Sequence, residues 1–247
     1  MLEAKDIEEG LGSDSSWRIH AHEIVASTMT EAQRLAERGE AEFTLVVADC
    51  QTAGSGRFDR RWYSPPGEGV WMTALLRPDL SAECAPLLTL TAAVSVAEAL
   101  DGLGFSVGIK WPNDVLAASG PYRWRKLCGI RAEMAVEGDR VAWVNVGIGI
   151  NVGSVSFPKE LSDVATSLQE LAGAPVSRKA CACAVLERLE ANYRRLLKDG
   201  FFQIRHSWIA HAIGLGEPVR ISDVDGEVSG VSLGIDGEGR LLVEVPD

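Results

Sequence analysis

The sequence has 247 residues, 46% of them apolar, which suits one large α/β domain with a small appended unit and excludes global disorder. Its net charge of −11, from 24 basic and 35 acidic residues, argues against a general nucleic-acid or anionic-membrane surface, while leaving room for a local basic site. Five cysteines, Cys50, Cys84, Cys128, Cys181 and Cys183, lie mostly within apolar stretches and fit reduced thiols better than a disulfide framework.

Residues 1–15 are polar and acidic, without a signal-peptide core, and read as a flexible N-terminal arm too short for a helix-turn-helix. No apolar run is expected to reach bilayer length, so a soluble, cytoplasmic protein is expected. Trp17 to Val25 reads as a short strand. Thr28 and Glu31 have capping-box spacing, which predicts a helix to Gly39 with Thr28 as its N-cap.

The apolar run Phe43-Thr-Leu-Val-Val-Ala48 reads as a buried strand that leads into Gln51-Thr-Ala-Gly-Ser-Gly-Arg-Phe-Asp-Arg-Arg-Trp62. Gly54 and Gly56 allow a sharp bend and a close approach to a ligand. Arg57, Arg60 and Arg61 then supply planar donor forks that stay charged, as wrapping a polyanion requires. An ordinary basic surface loop fits the same composition equally well. Trp62 adds an aromatic face.

Gly69 to Arg77 reads as a strand stopped by Pro78. Residues 84–102 are apolar around most of a helix, which places that helix between layers. Val107 to Lys110 forms a strand, and Pro112 ends its ladder, so Asn113 and Asp114 sit at a strand exit. Lys, Asn and Asp there suit phosphate and, through oxygen ligands, a metal ion; Pro-Asn-Asp is equally ordinary turn chemistry. Lys126 opens the next strand, either as a solvated flank or as a cation opposite the arginine loop.

The strand Arg140 to Val152 contains Gly147 and Gly149, which is unfavourable unless something lies close against the backbone; a bulge or tight packing is the alternative. No helix signal follows, so this Gly-x-Gly is not a dinucleotide fingerprint. Residues 178–199 read as an amphipathic helix with Cys183, Leu186, Leu189, Leu196 and Leu197 inward. His206 and His211 flank Trp208 in a second helical piece, in packing or surface roles. Beyond Gly214, short alternating strands with turns at Asp225-Gly226 and Asp236 to Gly239 form a small β module.

Seven of these pieces, in order and over nearly the whole chain, resemble the biotin protein ligase family. They are Ser27-Thr28, Gln51-Thr-Ala-Gly-x-Gly-Arg57, Arg60-x-Trp62-x-Ser64-Pro65, Lys110-Trp-Pro-Asn-Asp114, Lys126-Leu-x-Gly-Ile130, Gly147-Ile-Gly-Ile-Asn151 and Gly234-Ile-Asp-x-x-Gly239-x-Leu-Leu. The resemblance implies an α+β fold. A mixed β-sheet flanked by helices, of the class II synthetase-like biotin/lipoate ligase type, would span 16–212, and a small C-terminal SH3-like β-barrel 213–247. The helix-turn-helix of larger members has no counterpart, so no DNA partner is implied, and no membrane either. A homodimer through an edge strand is left open.

The implied reaction uses ATP and Mg²⁺ to convert biotin to biotinyl-5′-AMP. The acyl group then passes to a lysine of a biotin carboxyl carrier protein. By resemblance, Arg57, Lys126 and Asp114 are catalytic. Ser27, Thr28, Met29, Gln51, Gly54, Ser55, Gly56, Arg57, Lys126, Gly129, Ile130, Gly147 and Gly149 hold biotin. Arg57, Arg60, Trp62, Lys110, Asn113, Asp114, Lys126 and Asn151 hold ATP, with Mg²⁺ near Asp114 and no dedicated metal ligand assigned. Three departures stand out. Ser55 replaces a commonly basic residue, Met29 replaces a common Asn, and the connection from Asp114 to Lys126 is long. The competing readings are a lipoate or octanoate ligase, whose arginine- and glycine-rich signature followed by His-Asp is missing, and a biotin-binding sensor with little turnover, favoured only by Ser55 and Met29.

Overall fold

Unbroken apolar runs become the middle of the sheet. The computed structural model describes residues 2–117, 124–223 and 226–245; most of the long connection after Asp114, together with Asp225 of the expected turn, lies outside the described residues. Strands β1 (Arg18–Val25), β2 (Thr44–Gln51), β3 (Gly69–Leu76), β4 (Val107–Lys110), β5 (Asp114–Ala117), β6 (Arg125–Glu137) and β7 (Arg140–Asn151) form a seven-stranded sheet. Its order is β1-β2-β3-β7-β6-β5-β4, with β1–β2 parallel and the other neighbours antiparallel. The sheet is therefore mixed, as expected. β2 and β3, covered on both faces, carry the continuous apolar sequence that such burial requires.

Helices pack on both faces. Helix α2 (Thr28–Glu37) lies against β2, β3 and β7, while α3 (Pro86–Gly102), α5 (Arg178–Asp199) and α6 (Phe202–His211) build the main core. The two-residue period of β7 divides its side chains between these layers. Val144, Val146, Ile148 and Ile150 join the core, so Asn145, Gly147, Gly149 and Asn151 face the other way. This alternation places two glycines on an open face.

The stretch Ala82–Gly102 does have the length and apolarity of a membrane span, contrary to the expectation that no run would. It ends as the central core helix, with Leu88, Val94, Val96 and Leu100 exposed by 1% or less. Leu197 of α5, expected inward, is 41% exposed.

The flexible arm is also corrected. Residues Ala4–Leu11 form helix α1, packed on α5, with Ile7 fully buried and Leu2 nearly so. Ile7 and Leu11 fall on one face because they are four residues apart, which is enough to dock a helix of about two turns. Lys179 of α5 reaches Glu9 at 3.6 Å. Ile7→Ala should lower unfolding stability by about 2–4 kcal/mol in urea titrations, where a loose arm would give no change.

A five-residue helix, α4 (Leu168–Ala172), follows β7 and is capped by Ser167, which accepts from Glu170 N at 3.2 Å. The C-terminal unit matches the small SH3-like module expected. Its described residues form a three-stranded antiparallel sheet of β8 (Pro218–Asp223), β9 (Gly226–Ile235) and β10 (Leu241–Glu244). It is tied to the larger unit by Trp111 Nε1, in the turn after β4, donating to Gly239 O at 3.1 Å and by Arg205 Nε of α6 donating to Ile235 O at 2.7 Å.

All five cysteines are free. Burial pushes the Cys181 thiol up to about 12, with Cys183 adding to the effect, and burial also raises Cys128, against the opposing pull of Lys126.

Candidate active site

The site is built on missing side chains. Gly129 of β6 pairs with Gly149 of β7, and Gly147 lies two residues before it on the same face. A Cβ on Gly149 would sit 2.4 Å from Trp62 Nε1, and one on Gly129 2.8 Å from Trp62 Cζ3. A Cβ on Gly147 would meet Met29 Cε at 2.8 Å. Close approach thus explains the strand glycines. The Trp62 indole lies across this floor, edge-on to Trp71 at 6.5 Å between centroids, with its Nε1–H buried and unpartnered among the described residues.

One wall is neutral and directional. Ser27, not Thr28, is the α2 N-cap: its Oγ accepts from Met29 N at 3.2 Å, which corrects the sequence assignment and leaves the Thr28 side chain for other work. Gln51 Oε1 accepts from Thr28 N at 2.8 Å and from Thr28 Oγ1 at 3.1 Å. Because the Thr28 hydroxyl donates to Gln51, the 2.8 Å contact with Thr73 Oγ1 has Thr73 as donor. Gln51 Nε2 in turn donates to Ser64 Oγ at 2.9 Å. The end of β2 and the start of α2 are thereby locked to β3.

The opposite end is cationic. Lys126 Nζ pairs with Asp114 Oδ1 at 2.7 Å and stands 5.3 Å from the Trp62 ring centroid. Asn113 Nδ2 donates to Ile130 O at 2.8 Å, and Ile130 N donates to Asn113 O at 3.0 Å, so the turn after β4 is stitched onto β6. Asn113 thus holds the turn as expected, and its Oδ1 also accepts from Arg57 Nη1 at 3.4 Å on the cleft side. Asn151 is buried and donates to Thr166 O at 3.0 Å.

These groups line one cleft of about 620 Å³. It includes every candidate from the sequence except Gly54, which lies behind the loop, where a Cβ would strike Ser64 Oγ, Trp62 O and Gln51 Nε2. Arg60 and Lys110 line the cleft as exposed cations. Sequence reading missed Arg131, Arg220 and Ser222. The signal for Arg131 was its place two residues after Gly129, hence on the same sheet face. Among the described residues, seven lining cations, Arg57, Arg60, Arg61, Lys110, Lys126, Arg131 and Arg220, face one lining carboxylate, Asp114, so a strongly acidic protein presents a locally basic cleft. Among the described residues no three His, Cys, Asp or Glu side chains converge as a metal site.

A helix-backed mixed sheet, a glycine floor under a basic loop and a small C-terminal β unit define the class of biotin and lipoate protein ligase catalytic domains. The chain belongs to the biotin/lipoate A/B protein ligase family, whose model matches residues 22–151; that of the biotin protein ligase C-terminal domain matches 214–247. It is 43% identical over 226 residues to the bifunctional ligase/repressor BirA of Bacillus subtilis, covering 90% of this chain and 68% of that protein. It is 34% identical to the biotin–[acetyl-CoA-carboxylase] ligase of Paracoccus denitrificans, over 89% of this chain and 91% of the relative. The biotin protein ligase of Aquifex aeolicus, solved with biotin and ATP, superimposes with a TM-score of 0.77 at 31% identity, over 92% of this chain and 91% of that one.

Proposed function

We propose that this chain is an ATP-dependent biotin ligase that adenylates biotin and transfers it to the ε-amine of a lysine on a biotin carboxyl carrier protein. The observation that carries the reading is the division of one cleft into an uncharged hydrogen-bonding wall, Thr28–Gln51–Thr73, and a cationic end, Lys126 and Arg57. Biotin has the same division: a neutral polar ring system at one end and a carboxylate at the other. Its carboxylate attacks the α-phosphorus of ATP and pyrophosphate leaves. Lys126 and Arg57 offset the repulsion between the two anions and stabilise charge growing on phosphorus.

Asp114, whose pairing with Lys126 supports the reading, orients the incoming lysine amine or takes its proton as the acyl–phosphate bond breaks and AMP departs. The Asp114 and Asn113 oxygens, hard donors at the cationic end, would help hold a Mg²⁺ carried by the nucleotide, which would offset charge on the phosphates. Five free thiols suit a reducing cytoplasm.

The test is pyrophosphate release from MgATP with biotin, lipoate or octanoate supplied separately. Release with biotin alone is the expected result. Release with lipoate or octanoate but not biotin would reassign the substrate, and biotin binding without pyrophosphate would leave a sensor. Gln51→Leu should weaken biotin binding about 10–30-fold by calorimetry, because it removes the acceptor for both Thr28 donors and leaves them unsatisfied.

A further inference from the structure

We propose that Arg131 is a positioning residue that anchors the arginine loop over the cleft before any ligand arrives. Arg131 sits on β6 directly opposite Gly147 of β7, so its backbone is held by the sheet and its side chain rises from the floor face. Its Nη1 donates to Ser55 Oγ at 2.9 Å and to Gly56 O at 2.7 Å. Its Nη2 meets Glu133 Oε1 at 2.7 Å, which fixes the plane of the fork.

Gly56 O belongs to the peptide that joins Arg57, so this contact sets where the Arg57 backbone begins. The loop moves as a unit because it is closed on itself. Ser55 bridges Arg61, Gly56 N donates to Arg60 O at 2.7 Å, and Trp62 N donates to Gly54 O at 2.8 Å. Fixing one strand of that unit therefore fixes Arg57, Arg60 and Trp62 together. Further contacts hold the loop: Thr52 N donates to Val25 O at 2.9 Å and Ala53 N to Ala26 O at 2.8 Å at its start, the Trp62 indole lies on the glycine floor at its end, and Arg57 meets Asn113 at 3.4 Å.

Ser55 provides the hydroxyl that the guanidinium uses and is short enough to leave space for it. A loop already in place loses less conformational entropy on binding and shields a reactive acyl-adenylate from water. This second consequence rests on the ligase reading; the anchoring itself does not.

The experiment uses the full chain with Arg131→Gln, which keeps the aliphatic stem, and Arg131→Lys, which restores one charged donor. Glu133 stays solvent-accessible when its partner is removed, so the fold should survive, and the thermal midpoint checks this. Limited trypsin digestion of the ligand-free protein reads loop opening at Arg57, Arg60 and Arg61 by mass spectrometry. Loss of two charge-assisted hydrogen bonds should raise cleavage there about tenfold in Arg131→Gln, with Arg131→Lys intermediate. With biotin and MgATP, the share of biotinyl-AMP hydrolysed in place of transferred to the carrier should rise in Arg131→Gln and fall back in Arg131→Lys.

Unchanged loop cleavage, or a lower thermal midpoint without selective loop cleavage, overturns the anchor. If the wild-type protein releases no pyrophosphate with biotin while loop cleavage still responds, the ligase reading fails and the anchor stands.

Discussion

Lys126→Met should reduce biotin-dependent pyrophosphate release about 10²–10³-fold while leaving the thermal midpoint nearly unchanged. The aliphatic stem of Lys126 packs beside Trp62, and Met retains most of that contact. What disappears is the ammonium at 2.7 Å from Asp114, and with it two effects. One is stabilisation of charge at the reacting phosphorus. The other is neutralisation of Asp114, whose carboxylate then faces an incoming acid and a triphosphate with no adjacent counter-charge. The loss of about 3–4 kcal/mol should appear mainly in kcat, because charge on phosphorus peaks in the transition state. Adding Asp114→Asn to Lys126→Met should recover part of the adenylation rate by removing the repulsion, and should leave transfer to the carrier slow. Steady-state pyrophosphate kinetics on the two variants separates these contributions, and an unimpaired Lys126→Met would remove Lys126 from the chemistry.

Gly149→Ala should weaken biotin binding about 30–100-fold. The new methyl falls 2.4 Å from Trp62 Nε1 and 2.7 Å from Cε2, distances no real side chain tolerates. The backbone of β7 has little freedom to retreat, since Gly149 is paired to Trp71 on one side and Gly129 on the other. The indole must leave the floor, and with it goes an aromatic wall worth about 2–3 kcal/mol. Gly147→Ala provides the contrast. Its methyl clashes with Met29 Cε, the far end of a flexible side chain that can rotate away, and meets Arg131 O at 3.4 Å and Thr73 Oγ1 at 3.6 Å without overlap, so binding should change less than about fivefold. Calorimetry on both variants, with tryptophan fluorescence reporting Trp62, checks the pair. Equal effects would mean that the floor acts through general strand distortion.

Much of this site was legible because periodicity and composition speak directly about strands. The run from Phe43 to Ala48 read as a buried strand, and the glycines inside the run from Arg140 to Val152 pointed to a close neighbour, with a bulge or tight packing as the alternative. Sequence could not say what that neighbour was. Trp62 and Met29 lie far away along the chain, and only the β6–β7 register puts them over Gly129, Gly147 and Gly149. Helix α1 escaped notice because its apolar content is little more than Leu2, Ile7 and Leu11, too sparse for a window average but sufficient once α5 offers a surface. The Ser27 and Thr28 roles were exchanged because both residue types cap helices, and only Gln51, 23 residues on, shows which hydroxyl is occupied elsewhere. Arg131 carries no local signal of its partner, which lies 75 residues earlier at Gly56. Residue types were readable; pairings between distant segments were not.

The glycine floor also constrains how such a cleft can change under selection or engineering. Its depth is set by backbone, so no substitution at Gly129, Gly147 or Gly149 can make it deeper, and every one makes it shallower. New room for a bulkier acid must come from the movable sides, Met29 and Trp62, or from a change of strand register that would flip every side chain on β7. Variation in acid size should therefore be concentrated at two side chains, while the strands beneath them stay as they are.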